Sequence, residues 1–116
     1  MDISEMQEMV KQFCEERDWS QFHNPKDLAI GISTEANELL DIFRFKSDEQ
    51  IRAMLAVPEK KEAIADEVAD TLYFILRFAQ MNNIDLSDAL VRKIKKNEEK
   101  YPIYKATGKN LKYKEL

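Results

Sequence analysis

Glycine and proline are scarce in this 116-residue chain, at two and three residues, and cysteine and histidine occur once each. So few chain-breaking residues, beside abundant Ala, Leu, Ile, Glu and Lys, favour helices over strands. The single cysteine, Cys14, excludes an intrachain disulfide and a cysteine-based zinc site, and a reducing compartment is the simpler reading. No apolar run approaches the ~20 residues of a membrane span. The N-terminus Met1-Asp2-Ile3-Ser4-Glu5 is acidic and polar, unlike a signal peptide. A soluble, cytoplasmic protein is expected. A net charge of −4 supplies no electrostatic reason to expect a nucleic acid polymer or an anionic membrane as partner.

What is present is helical periodicity. Apolar residues at Met6, Met9, Val10, Phe13 and Cys14 predict a first helix from Ile3 to about Arg17, with Asp2 and Glu5 as a capping box. The stretch Asp18 to Asn24 breaks the pattern and carries Trp19, Phe22 and His23, aromatics that pack under a loop or line a pocket mouth. Asn24-Pro25 starts a second helix, to about Phe45. Ser47-Asp48-Glu49 opens a short one to about Ala56. Pro58 starts the next, to about Met81, with Ile64, Val68, Leu72, Ile75 and Ala79 as its core face. Asp85 caps a last helix from Leu86 to about Lys100, with Leu86, Ala89, Leu90 and Ile94 as its apolar face, and Pro102 stops it. Residues 103–116 mix Lys, Tyr and Gly108 without a period and read as an arm or disordered end. The expectation is an all-α bundle of four main helices plus a short connecting one, with one domain over 1–102 and a tail over 103–116.

Two acidic pairs interrupt the apolar stripes. Glu35-Ala-Asn-Glu38 places two carboxylates on one face of the second helix, and Glu35 falls on the Leu28, Ile32, Leu39, Ile42 stripe. Glu67-Val-Ala-Asp70 repeats the spacing on the long helix after Pro58. If those helices pack antiparallel, Glu35, Glu38, Glu67 and Asp70 face one another. Their repulsion then either keeps some protonated or is relieved by a hard divalent cation such as Mg²⁺, which takes oxygen ligands. Iron in carboxylate bundles uses Glu-x-x-His on two helices, and the one histidine, His23, lies in a loop. Solvated acidic helix faces remain the competing explanation of each pair alone.

On the last helix, Lys93, Lys96, Asn97 and Lys100 share a face, followed by Tyr101. Their N–H groups suit phosphate oxygens. By themselves they read equally as a solvated basic face that favours the helix dipole. Beside a metal site, phosphate binding is the more economical reading.

In these motifs the chain resembles the MazG-type all-α nucleoside triphosphate pyrophosphohydrolases, and within them the dCTP pyrophosphatase-like branch. The resemblance rests on Glu35, Glu38, Glu67 and Asp70, on the stretch Glu16-Arg17-Asp18-Trp19-Ser20-Gln21-Phe22-His23-Asn24-Pro25, and on Lys93, Asn97, Tyr101 and Pro102. It implies Mg²⁺-dependent hydrolysis of a nucleoside triphosphate to monophosphate and pyrophosphate, with dCTP and related deoxynucleotides such as dATP as substrates, for nucleotide-pool sanitation. By position, Glu35, Glu38, Glu67 and Asp70 would hold metal, and Glu35 or Glu38 would orient or deprotonate the attacking water. Lys93, Asn97, Lys100 and Tyr101 would bind phosphates, and Trp19 and Phe45 the base. His23 matches the family stretch without an assigned role. Phe45 stands where relatives carry tryptophan, which argues against strict cytosine selectivity. Lys100 stands where they carry arginine, exchanging a bidentate fork for a point charge. The family also implies a homo-oligomer, a tetramer favoured over a dimer, as does a short chain with a polar cleft. The alternatives are a non-enzymatic all-α assembly or adaptor module, or the same fold acting on dUTP or phosphoribosyl-ATP.

Overall fold

A computed structural model describes residues 1–116. Every regular element is helical: α1 (Ile3–Glu15), α2 (Pro25–Phe43), α3 (Asp48–Leu55), α4 (Pro58–Met81), α5 (Leu86–Lys100) and α6 (Ile103–Ala106), with single 3-10 turns at Ser20–Phe22 and Tyr113–Glu115. The helix starts follow their capping residues. The side chains of Asp2, Asn24, Ser47 and Asp85 accept from backbone N–H groups at Glu5, Asp27, Gln50 and Asp88, and Gln50 completes a capping box with Ser47. Each cap satisfies a donor that the first helical turn leaves unpaired. α2 ends two residues before the expected Phe45, because Arg44 is extended and Phe45 turns left-handed at φ 64°.

Residues Met1–Asn83 form one compact unit and Ile84–Leu116 a second. In the first, α2 and α4 are the principal packed pair, and α1 and α3 also lie against α4. Cys14, Leu28, Ile64, Leu76 and Ala79 are its buried apolar residues. The α2–α4 approach is close at Gly31, where a Cβ would lie 2.5 Å from the Phe74 ring. Here the mid-helix glycine, an unfavourable choice for a helix by ~1 kcal/mol, makes room for an aromatic ring.

The covered face of α4 follows the expected one at Ile64, Ile75 and Ala79 and departs from it at Val68 and Leu72. Val68 and Leu72 are 49% and 40% exposed, whereas Leu76 and Arg77 are buried. Helical periodicity identifies apolar positions but not which of two apolar stripes the neighbouring helices cover.

In the second unit, α5 ends at Tyr101, whose N–H donates to the carbonyl of Asn97 at 2.8 Å. The tail holds one helical turn, closed where the Thr107 hydroxyl donates to the Ile103 carbonyl at 2.6 Å. Tyr113 comes back against Tyr101 in an edge-to-face contact with centroids 6.3 Å apart, and the Lys100 ammonium lies 4.9 Å from the Tyr113 ring. The stretch read as an aperiodic arm is thus anchored to the end of α5 by aromatic and cation–π contacts.

Candidate functional site

The α2–α4 packing brings the two acidic pairs together. Carboxylate oxygens of Glu35, Glu38 and Glu67 lie within 4.8 Å of one another, and the charge of Asp70 acts on both Glu35 and Glu67. Glu35 Oε2 and Glu67 Oε2 are buried without a hydrogen-bond partner in the chain. A proton shared with Glu38, then desolvation, then the charges of Glu38, Asp70 and Glu67 push Glu35 up to about 7. Desolvation first, then Glu38, raises Glu67 as well. Crowded carboxylates with orphaned, desolvated oxygens are strained while nothing positive lies between them. An all-oxygen donor set of this kind fits a hard divalent cation, and Glu35, Glu38 and Glu67, with Asp70 beside them, are the residues that would hold it.

A cavity of about 490 Å³ opens beside the cluster, with Glu35 and Asp70 in its wall. The rest of that wall is largely aromatic and includes Phe13, Trp19, Tyr73 and Phe74. These rings brace one another edge-on. Phe13 meets Trp19 and Tyr73 at centroid separations of 5.6 and 6.1 Å, and Tyr73 meets Phe74 at 5.0 Å. The Tyr73 hydroxyl pairs with the buried Cys14 Sγ at 3.1 Å. Trp19 therefore does both things that an aromatic in that loop can do: its ring packs on Phe13 and also faces the cavity. An apolar, ring-lined chamber against a cation site suits a flat heterocycle carrying an anionic group.

His23 also lines the chamber. Its Nδ1 accepts from Arg77 Nε at 2.9 Å. The Arg77 guanidinium, 1% exposed, donates in addition to Ser20 Oγ at 2.9 Å and Gln80 Oε1 at 2.7 Å. Gln80 in turn donates to the Gln7 carbonyl at 3.1 Å, tying α1 to the same network. Burial, then the Arg77 charge, lowers the His23 pKa.

Phe45 lies away from the chamber wall, 92% exposed on the α2–α3 loop, with the Arg44 guanidinium 4.7 Å from its ring. Lys93, Asn97, Lys100 and Tyr101 share the C-terminal half of α5 and its cap, within the second unit, with Asn97 half-buried and the other three exposed. Sequence reasoning did not single out Arg77, Tyr73, Phe74 or Gly31. The signal for Arg77 was present: it is the one charge in the apolar run Leu72-Tyr-Phe-Ile-Leu-Arg77-Phe-Ala79.

Three comparisons place this geometry among known proteins. The chain is 30% identical to dCTP pyrophosphatase 1 of Mus musculus over 114 residues, which are 98% of this chain and 67% of that protein. The Homo sapiens protein of the same name matches with the same identity and coverage. A pyrophosphatase crystal structure from Archaeoglobus fulgidus superposes with a TM-score of 0.79 at 35% identity, covering 85% of this chain and 91% of that one. The MazG-like family model matches residues 30–116, a span that holds all four acidic residues, and on that match the chain belongs to the MazG-like family.

Proposed function

We propose that the chain hydrolyses nucleoside triphosphates to monophosphate and pyrophosphate with Mg²⁺ as cofactor, acting on dCTP and related deoxynucleotides such as dATP in nucleotide-pool sanitation. The observation that carries this reading is that Glu35 belongs to two structures at once, the carboxylate cluster and the aromatic chamber wall. A molecule with a ring in the chamber would present its charged part to the acidic cluster. The curated relatives are dCTP pyrophosphatases by name, and the structural neighbour is a pyrophosphatase.

Glu35, Glu38, Glu67 and Asp70 hold the metal, and Trp19 stacks on the base. When bound, Mg²⁺ would draw charge from the phosphate oxygens and lower the pKa of water. A carboxylate of Glu35 or Glu38 orients the attacking water and takes its proton. The water oxygen bonds to the α-phosphorus, the bond from that phosphorus to the bridging oxygen breaks, and pyrophosphate leaves with the electron pair. Lys93, Asn97, Lys100 and Tyr101 donate to the phosphate oxygens. Residues 1–102 act as the catalytic domain and 103–116 as its tail. Ile30, Leu40, Val68 and Leu72 are large exposed apolar residues on α2 and α4, which supports a homo-oligomer; the preference for a tetramer over a dimer follows from the family resemblance. A cytoplasmic location fits substrates of the nucleotide pool.

The test is pyrophosphate release from a panel of deoxynucleoside triphosphates with and without Mg²⁺. Mg²⁺-dependent release from dCTP is expected. No release from any nucleotide would leave an all-α adaptor module as the better reading.

A further inference from the structure

The tail after Pro102 has no helical period, yet it doubles back. α6 closes at Thr107, Gly108 turns left-handed at φ 74°, and the Lys109 N–H donates to the Ala106 carbonyl at 3.0 Å. That backbone region favours glycine. A Cβ at residue 108 would meet nothing within 4 Å, so conformation rather than crowding sets the requirement. The reversal brings the Tyr113 ring to the end of α5, with its centroid 6.3 Å from that of Tyr101, edge to face, and 4.9 Å from the Lys100 ammonium. Tyr113 thus touches two of the residues assigned above to the phosphates.

The unit that holds these residues is basic. Ile84–Leu116 carries nine lysines and arginines against five acidic residues, whereas Met1–Asn83 carries nine against seventeen. Lys100 joins no ion pair, since the two in the structure are Lys11–Glu15 and Arg17–Glu16. The last turn of a helix ends in carbonyls with partial negative charge, which attract a cation and repel an anion. A phosphate received there depends on cations kept in place. A free lysine stem loses rotamer freedom when its ammonium is fixed by a ligand. An ammonium already resting on a ring has given up part of that freedom, and it still has N–H donors to offer. We propose that Tyr113 is a positioning residue, which holds Lys100 and Tyr101 in the arrangement that receives the phosphates. Residues 103–116 are then a working part of the polyphosphate-binding end of α5. The assignment rests on the nucleotide reading above and gives the tail a role in it. Tyr113 acts through the two side chains it braces, not on the phosphate itself.

Two substitutions in the full chain test this. Tyr113→Phe keeps the ring, and Tyr113→Leu removes it while keeping apolar bulk. In steady-state kinetics with dCTP and Mg²⁺, Tyr113→Leu should raise KM about 3–10-fold with kcat nearly unchanged, and Tyr113→Phe should match the wild type. Product inhibition by inorganic pyrophosphate, which carries no base, should weaken by the same factor. The Mn²⁺ affinity of the nucleotide-free protein should not move, because the carboxylate cluster lies in the other unit. In Lys100→Met protein, the further change Tyr113→Leu should cost less than it does in the wild type, since the ring has lost an ammonium to hold. A leucine variant with wild-type KM, a phenylalanine variant as impaired as leucine, or full additivity with Lys100→Met overturns the assignment alone, provided the wild type hydrolyses dCTP. A fall in kcat or in Mn²⁺ affinity in place of the KM change marks a general structural loss and also overturns it. A wild type that neither hydrolyses any nucleotide nor binds pyrophosphate overturns both this assignment and the nucleotide reading.

Discussion

Gly31 and Phe74 meet face to ring across the α2–α4 contact, so closely that a Cβ at residue 31 would lie 2.5 Å from Cδ1 and Cε1 of the ring. Phe74 is also part of the chamber wall. Gly31→Ala should therefore be costly in two ways. Alanine gains ~1 kcal/mol of helix propensity, but displacing the ring in a packed contact costs about 1–3 kcal/mol. The expected result is a lower melting temperature together with a raised KM for the nucleotide. A variant that is more stable and binds normally would show that the ring moves freely.

The Glu35 carboxyl, pushed up to about 7 by Glu38, desolvation and the neighbouring acids, gives the metal-free protein a pH dependence of definite sign. Between the ordinary glutamate range and about 7, the folded state keeps a proton that the unfolded state has released. Folding is then favoured by acid, and this contribution is lost as pH rises through that window. A divalent cation needs the same oxygens deprotonated, so its affinity rises over the window in which metal-free stability falls. Thermal melts of chelator-treated protein at about pH 5 and about pH 8, beside Mg²⁺ or Mn²⁺ titrations at both, check the opposed trends. Metal affinity that is flat across this range would detach Glu35 from the cation site.

Glu38→Gln separates stability from activity. Glu38 is exposed, and it is first among the causes that raise Glu35 and second for Glu67. Glutamine keeps the shape and removes one negative charge from a crowded cluster, so the metal-free melting temperature should hold or rise. Turnover should fall at least about 100-fold, because a hard anionic ligand is lost where charge develops. Unaltered turnover at saturating Mg²⁺ would take Glu38 out of the site.

The helices and the acidic cluster were legible in the sequence because each follows a short-range rule. Asn24-Pro25, Ser47 and Asp85 mark helix starts by local hydrogen bonding, and Glu35, Glu38, Glu67 and Asp70 interrupt apolar stripes at helical spacing. What could not be read locally depends on which stripe a neighbour covers. Val68 and Leu72 look as buried in the sequence as Leu76 does, and only packing tells them apart. Arg77 and His23 lie 54 positions apart, so no local pattern joins them. The tail stayed open between an arm and a disordered end for a related reason, since Tyr113 is held by Tyr101 and Lys100 rather than by its own periodicity.

Phe45 carries the last prediction. It is a bulky residue at positive φ, 92% exposed, with Arg44 stacked on its ring. A non-glycine residue in that region costs about 1–2 kcal/mol, and a side chain left in solvent does little to offset this. Phe45→Gly should raise the melting temperature modestly, since glycine's own entropic cost cancels part of the relief. If the ring is idle, nothing else changes. If the ring closes over the base, the same variant loses kcat/KM on every nucleotide while gaining stability. Phe45→Trp then distinguishes stacking from reading. Phenylalanine offers a π-face without an N–H, so it tolerates any base, and dCTP and a second deoxynucleotide such as dATP should be turned over comparably by the wild type. Tryptophan adds a donor and a larger face. A difference of roughly 1 kcal/mol corresponds to a several-fold shift of the kcat/KM ratio toward dCTP. A wild type that already prefers dCTP by more than about 100-fold, a gap of ~2.7 kcal/mol, would show that Phe45 is not the selectivity element and that base choice is made elsewhere.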